Sequence, residues 1–312
     1  MALNLQSTVV DFLTEHAEQK FTARKIAEWI FATFPAECQD KKANSTFIET
    51  DADLVQQLVA EISSSRPAIQ KKNPQIKTTE SRPRQYYWTA KSDQAEVSEA
   101  ENTGAEAHLV SGGTSLKESD LYPLLSEYLW SELHIYSKRI DEKQSSNKQG
   151  PKGNKWLYPD LVAMEDLTAD WHQEIKGAVK EYAGKKTKLW SFEVKILLNR
   201  SNVREAFFQS VSNSSWANFG YLVAAEVEGT DTMKELRMLS ALHGIGLIQI
   251  DPENPAESQI QIPARERPEV DWATCNRLTQ ENKDFLQFVQ LVRQFHQTGD
   301  PRPKDWDLPH NF

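Results

Sequence analysis

Residues 189–198 read Leu-Trp-Ser-Phe-Glu-Val-Lys-Ile-Leu-Leu, seven of them large and apolar, with the charges Glu193 and Lys195 two positions apart inside the run. A short stretch this rich in aromatic and branched side chains reads as a buried strand. Side chains alternate across a strand, so Glu193 and Lys195 share one face, about 7 Å apart, while Phe192, Val194 and Ile196 point the other way into a core. Glu and Lys are almost never fully buried unless paired, so the two charges need a reason to be there. A metal ion with a substrate phosphate supplies one. A second apolar run, Leu161-Val162-Ala163-Met164, is headed by Pro159-Asp160 and brings another acid to the start of a strand. Each feature alone has a plainer reading, a solvated ion pair for the first and a turn opener for the second.

The surrounding order narrows the architecture. A strand is expected near 156–164, a helix near 171–182, the strand 189–198, a helix near 202–217, a strand at 219–227, a helix at 232–243 and a short strand at 246–250. Alternating strands and helices of this kind predict an α/β domain, a mixed sheet covered on both faces. Upstream, residues 121–136 read as a buried helix with Ser119 or Asp120 as cap and Pro123 in its first turn. Downstream, Phe285, Phe288, Val292 and Phe295 form one stripe of a last helix near 281–296.

The first 91 residues have a different texture. Apolar spacing predicts two short helices within 5–34 and a third from Asp53 that breaks at Arg66-Pro67, followed by short extended segments near Ile69 and at 85–89. Three helices and a hairpin outline a small winged-helix α+β domain over 1–91. Within 66–91 seven bases, Arg66, Lys71, Lys72, Lys77, Arg82, Arg84 and Lys91, face one acid, Glu80, which marks the expected wing as a basic patch for nucleic-acid phosphates. Residues 92–117 reverse that balance and have the composition of an acidic flexible linker. A second domain then spans 118–312. Early in it, Lys148, Lys152 and Lys155 lie in a Gly- and Pro-containing stretch expected to be a mobile basic loop suited to a phosphate backbone.

Composition sets the outer limits. The net charge of −9 excludes a uniformly basic coat, so nucleic-acid contact must come from local patches. Cys38 and Cys275 stand far apart without metal-ligand spacing, and the histidines show none, so neither a disulfide framework nor zinc is expected. No stretch has the length and apolarity of a membrane span or a signal peptide. A cytoplasmic protein without membrane contact is the expectation.

Pro159-Asp160 followed by Glu193-Val194-Lys195, with an acid in the preceding helix, resembles the PD-(D/E)XK nuclease superfamily. The segments at 156–162 and 189–195 are also similar to a narrower group, the HrgA-like proteins encoded near restriction-modification genes. The N-terminal part, ending in Tyr86-Tyr87-Trp88, resembles the HARE-HTH winged helix. The resemblance implies a restriction-endonuclease-like sheet and a Mg²⁺-dependent DNA endonuclease, with Mn²⁺ as a substitute. It assigns Asp160, Glu193 and the Val194 carbonyl to the metal, and gives Lys195 the task of orienting or deprotonating the attacking water. Glu127 matches the accessory helix acid by position, with Glu132 as its rival, and Gln209 is placed to hold Lys195 or a phosphate. Double-stranded DNA is the implied partner, and cutting both strands would call for a homodimer or paired encounters. The competing expectation is a DNA-binding regulator or adaptor whose nuclease-like fold is inert. A third makes the first domain a protein-interaction module.

Overall fold

The computed structural model describes residues 4–44, 48, 50–81, 83–102, 108–110, 114–146, 156–181 and 185–308. Its N-terminal part is built from α1 (Leu5–Glu15), the short β1 (Phe21–Thr22), α2 (Ala23–Thr33), α3 (Pro35–Ala43), α4 (Asp51–Lys72), β2 (Ile76–Thr78) and β3 (Gln85–Trp88). The strands form an antiparallel sheet in the order β1-β3-β2. Val9, Phe12 and Leu13, Ile26 and Ile30, and Leu54, Leu58 and Ile62 recur at helical spacing and meet in one core. Local chemistry fixes the ends: Thr22 caps α2, and Thr50 with Asp53 closes a capping box on α4.

Three sequence expectations fail here. The helix α3 was not anticipated. Helix α4 runs through Pro67 instead of breaking there, and Ile69 lies in its last turns rather than in an extended segment. Ile69 is buried in the same core as Ile62, and that burial holds the turn beyond the proline. The first strand of the hairpin is β2, several residues later.

The stretch read as a linker carries structure as well. Helix α5 (Asp93–Asn102) buries Val97 and Ala100, and β4 (His108–Val110) pairs with β5 (Thr114–Leu116). Its acids are largely engaged, as shown below, so composition alone misreads this segment.

The second part is an α/β arrangement around six strands: β6 (Ile135–Arg139), β7 (Leu161–Asp166), β8 (Thr187–Leu198), β9 (Phe219–Val227), β10 (Gly246–Gln249) and β11 (Gln259–Ile262), ordered β11-β10-β9-β8-β7-β6. The pairs β8–β9 and β9–β10 are parallel, crossed over by α8 (Val203–Asn213) and α9 (Thr230–His243), and the other pairs are antiparallel. Helix α6 (Glu118–Leu133) packs Leu121, Leu125 and Leu129 against Phe192, Val194 and Ile196 on one face. The other face is covered by α8 and α9 and by α10 (Trp272–Glu281) and α11 (Lys283–Thr298), the last with Phe285, Phe288 and Phe295 inward. Helix α7 (Gln173–Glu181) joins β7 to β8. Strands β6 and β11 and helix α10 had no counterpart in the sequence reading, and α6 ends before Tyr136, at a left-handed His134.

The two parts are joined by backbone as well as by side chains. Beyond β2 the chain lies along the end of β9: the Glu80 N–H donates to the Val227 carbonyl at 2.7 Å, and the Gly229 N–H to the Thr78 carbonyl at 2.9 Å. Among the described residues, no helix is long and apolar enough to cross a membrane.

Candidate active site

Asp160 ends the loop into β7, and its position is set from three sides. Its N–H donates to the Phe192 carbonyl at 3.0 Å, its carbonyl accepts the Ile140 N–H at 2.9 Å, and its Oδ2 accepts the Val194 N–H at 2.7 Å. The carboxylate is thereby pinned beside the middle of β8. Glu193 and Lys195 follow the strand alternation and project together on the face that carries α8.

Glu193 is 1% exposed and both of its oxygens are occupied. Oε1 accepts from Lys195 Nζ at 2.8 Å, and Oε2 accepts from Asn213 Nδ2 at 2.9 Å, which also donates to the Tyr158 carbonyl. Lys195, buried as well, donates a second bond to the Val194 carbonyl at 3.0 Å and lies 3.8 Å from a carboxylate oxygen of Glu118. The Tyr122 hydroxyl donates to Glu118 Oε1 at 2.9 Å and reaches Asp160 Oδ1 at 3.4 Å. These groups surround a pocket of about 380 Å³ that Gln209, Arg139 and Lys143 also line.

Electrostatics follows from crowding. Burial raises the Asp160 carboxyl well above the ordinary carboxylate range, and the neighbouring Glu193 and Glu118 raise it further. Burial also raises Glu193, against the pull of Lys195. For Lys195 burial works to lower the ammonium pKa, but Glu193, Glu118 and Asp160 outweigh it and hold the group charged. Six acids line the pocket, Glu101, Glu118, Asp141, Glu142, Asp160 and Glu193, against three bases, Arg139, Lys143 and Lys195. The lining thus carries an excess of acidic over basic groups.

The structure brings Asp160, Glu193, the Val194 carbonyl, Lys195 and Gln209 together. It does not bring Glu127 or Glu132, which are exposed further along α6. Glu118 in the first turn takes that place, nine residues and roughly 13 Å of helix rise before Glu127. The sequence placed the helix start at 121, so Glu118 fell outside it, although Glu118 and Tyr122 stand at the i, i+4 spacing that shares a face. Asn213 was also missed. It lies one turn beyond Gln209 on α8, where the same spacing would have found it.

The basic run meets a different outcome. Arg84 pairs with Glu80 at 2.7 Å, and Arg66 approaches the same carboxylate at 3.9 Å. Lys77 sits on Asp93 at 2.5 Å and on Glu96, while Lys91 pairs with Glu99 at 2.7 Å and lies 3.5 Å from Glu18. Four of the seven bases thus face acids of the same chain, Lys77 and Lys91 with two each and Arg66 and Arg84 sharing the one Glu80 carboxylate. Lys71 and Lys72 are exposed in the last turn of α4. Arg82, Lys148, Lys152 and Lys155 lie outside the described residues.

A second acid group stands apart from the pocket. Asp93, Glu96 and Glu228 bring carboxylate oxygens within 4.8 Å of one another, and the Lys77 ammonium on Asp93 and Glu96 serves as their internal cation. Comparison with protein-family models, with curated proteins and with solved structures gave no match.

Proposed function

We propose that the protein is a Mg²⁺-dependent DNA endonuclease of the PD-(D/E)XK type, with a winged-helix-like N-terminal part that helps place it on the duplex. The observation that carries this reading is the convergence of Asp160, Glu193 and Lys195, from two separate strand segments, on one acid-rich pocket. Asp160 and Glu193 are the residues that would hold the ion, with the Val194 carbonyl beside them. Bound there, Mg²⁺ or Mn²⁺ would supply an activated water and neutralise charge on the scissile phosphate.

The chain's own groups have distinct tasks in this proposal. Asn213 fixes the Glu193 carboxylate, and the Val194 N–H fixes that of Asp160. Lys195 presents a buried positive charge where negative charge grows in the transition state. Tyr122 holds Glu118 toward the pocket as a further acceptor for water or ion. Helices α1, α2 and α4 with the sheet β1-β3-β2 support the winged-helix reading, and Lys71 and Lys72 offer phosphate contacts. Restriction of foreign or modified DNA is the proposed purpose. Cleavage of both strands would take two copies of the chain.

Purified protein incubated with plasmid is expected to nick or cut it in Mg²⁺ or Mn²⁺. Asp160→Ala, Glu193→Ala and Lys195→Ala should each abolish cutting while DNA binding survives. Activity that persists in all three sinks the site assignment. Salt-sensitive DNA binding without cleavage in either metal would favour the adaptor reading instead.

A further inference from the structure

The three bases that line the pocket of Asp160 and Glu193 are not equivalent. Lys195 is buried, and its ammonium donates to Glu193 and to the Val194 carbonyl. Lys143 lies in an exposed turn. Arg139, at the end of β6, is fixed through its backbone. It stands opposite Leu161 in the antiparallel register, its N–H donates to Asp307 Oδ2 at 2.7 Å, and the following N–H, of Ile140, donates to the Asp160 carbonyl. Its guanidinium carbon lies 4.3 Å from the centre of the Tyr122 ring. Tyr122 is itself buried, with its hydroxyl tied to Glu118 and Asp160. We propose that Arg139 binds a backbone phosphate beside the scissile one, a role that rests on the nuclease reading of the same pocket and makes the substrate a polynucleotide, not an isolated phosphodiester.

A guanidinium lying over a fixed aromatic ring loses freedom to turn, while its N–H donors stay in the planar fork that matches two oxygens of a phosphate. The ring that carries this fork also reaches Asp160 with its hydroxyl, so a phosphate held by Arg139 lies next to the acids of the pocket. Charge points the same way. Six acids line the pocket, yet among the described residues none forms an ion pair with Arg139, whereas Arg66 and Arg84 share Glu80. A divalent cation offsets the scissile phosphate. The flanking phosphates of a DNA strand meet the same acids and need a cation of their own, which Arg139 supplies on the exposed side of the pocket.

The test is the affinity of the full chain for a fluorescently labelled DNA duplex, measured by anisotropy with Ca²⁺ in place of Mg²⁺ over a series of salt concentrations. Arg139→Ala should weaken binding about tenfold, since it removes a charge-assisted contact. It should also lower the slope of log affinity against log salt by about 1. With Mg²⁺, KM for plasmid should rise about tenfold while kcat stays within about threefold, because a flanking phosphate is held equally before and during reaction. Arg139→Lys keeps the charge and should keep the parent slope. A slope as low as that of Arg139→Ala would assign the effect to folding and overturn the proposal. A fall in kcat with affinity unchanged would place Arg139 on the reacting phosphate and overturn it too. A parent that neither binds nor cuts DNA in Mg²⁺, Mn²⁺ or Ca²⁺ takes the nuclease reading down as well, whereas a parent that cuts beside an Arg139→Ala protein of equal affinity and KM overturns the role of Arg139 alone.

Discussion

The main-chain N–H of Val194 donates to Oδ2 of Asp160 at 2.7 Å, so the acid that opens β7 is anchored to the residue between Glu193 and Lys195. One hydrogen bond thus links two motifs separated by more than thirty positions in sequence and fixes where their charged groups stand. Under the proposed function that carboxylate has a chemical duty besides its structural one, and substitutions can separate the two.

Asp160→Asn retains a side-chain oxygen for the Val194 N–H and removes the charge. Its melting temperature should stay within about 2 °C of the parent, because the backbone anchor survives and a buried charge disappears. DNA cleavage should vanish. Asp160→Leu should lose the anchor too and melt lower, a difference that thermal unfolding followed by circular dichroism would show.

Glu118 and Glu127 sit on the same helix but only Glu118 faces the pocket. Glu118→Gln should lower kcat/KM for plasmid cleavage at least about tenfold, and Glu127→Gln should leave it within about twofold. Equal losses in both would show that the effect comes from the helix as a whole.

Asn213 is the sole neutral donor seen on Glu193 among the described residues, and it ties that acid to the Tyr158 carbonyl. Asn213→Ala removes two buried hydrogen bonds and should cost about 2 kcal/mol in urea unfolding. Asn213→Asp sets a second carboxylate against Glu193 and should cost more at pH 8 than at pH 5, where an added acid is more readily protonated.

Glu228 titrates near neutrality: burial is the main cause of its rise from 4.5 to about 7, Lys77 opposes it, and Asp93, Glu96 and Glu226 add to it. A carboxyl whose pKa is higher in the folded protein favours folding when protonated. That contribution is complete below about 4.5 and is lost as pH climbs through about 7, amounting to at most roughly 3 kcal/mol. Glu228→Gln should therefore flatten the fall in stability over this window and raise the melting temperature at pH 8. A mutant curve parallel to the parent's would rule this out.

Salt dependence distinguishes free from spent bases. Lys71→Gln with Lys72→Gln should reduce the slope of log affinity for duplex DNA against log salt by about 2, whereas Arg84→Gln, whose partner is Glu80, should barely change it. A large change for Arg84→Gln would mean that DNA displaces the internal pair.

The sequence by itself determined the parts of this protein that depend on periodicity. The alternation in 189–198 put Glu193 and Lys195 on one face, the strand 219–227 fell on the observed bounds of β9, and the strand–helix order gave the mixed sheet. These features are local, since a two-residue or near-four-residue repeat needs no knowledge of distant partners. Tertiary structure alone decided which charges are free. Seven bases to one acid in 66–91 looked like an exposed patch, but Lys77 and Lys91 find their counter-ions in Asp93, Glu96, Glu99 and Glu18, outside that window, while Arg66 and Arg84 share Glu80 within it. Helix boundaries decided the third pocket acid, because one added turn at the start of α6 brings in Glu118 and leaves Glu127 on the outside. Apolar patterning is written along the chain, whereas ion pairing depends on which side chains the fold brings within a few ångströms, and a window of sequence carries no record of that.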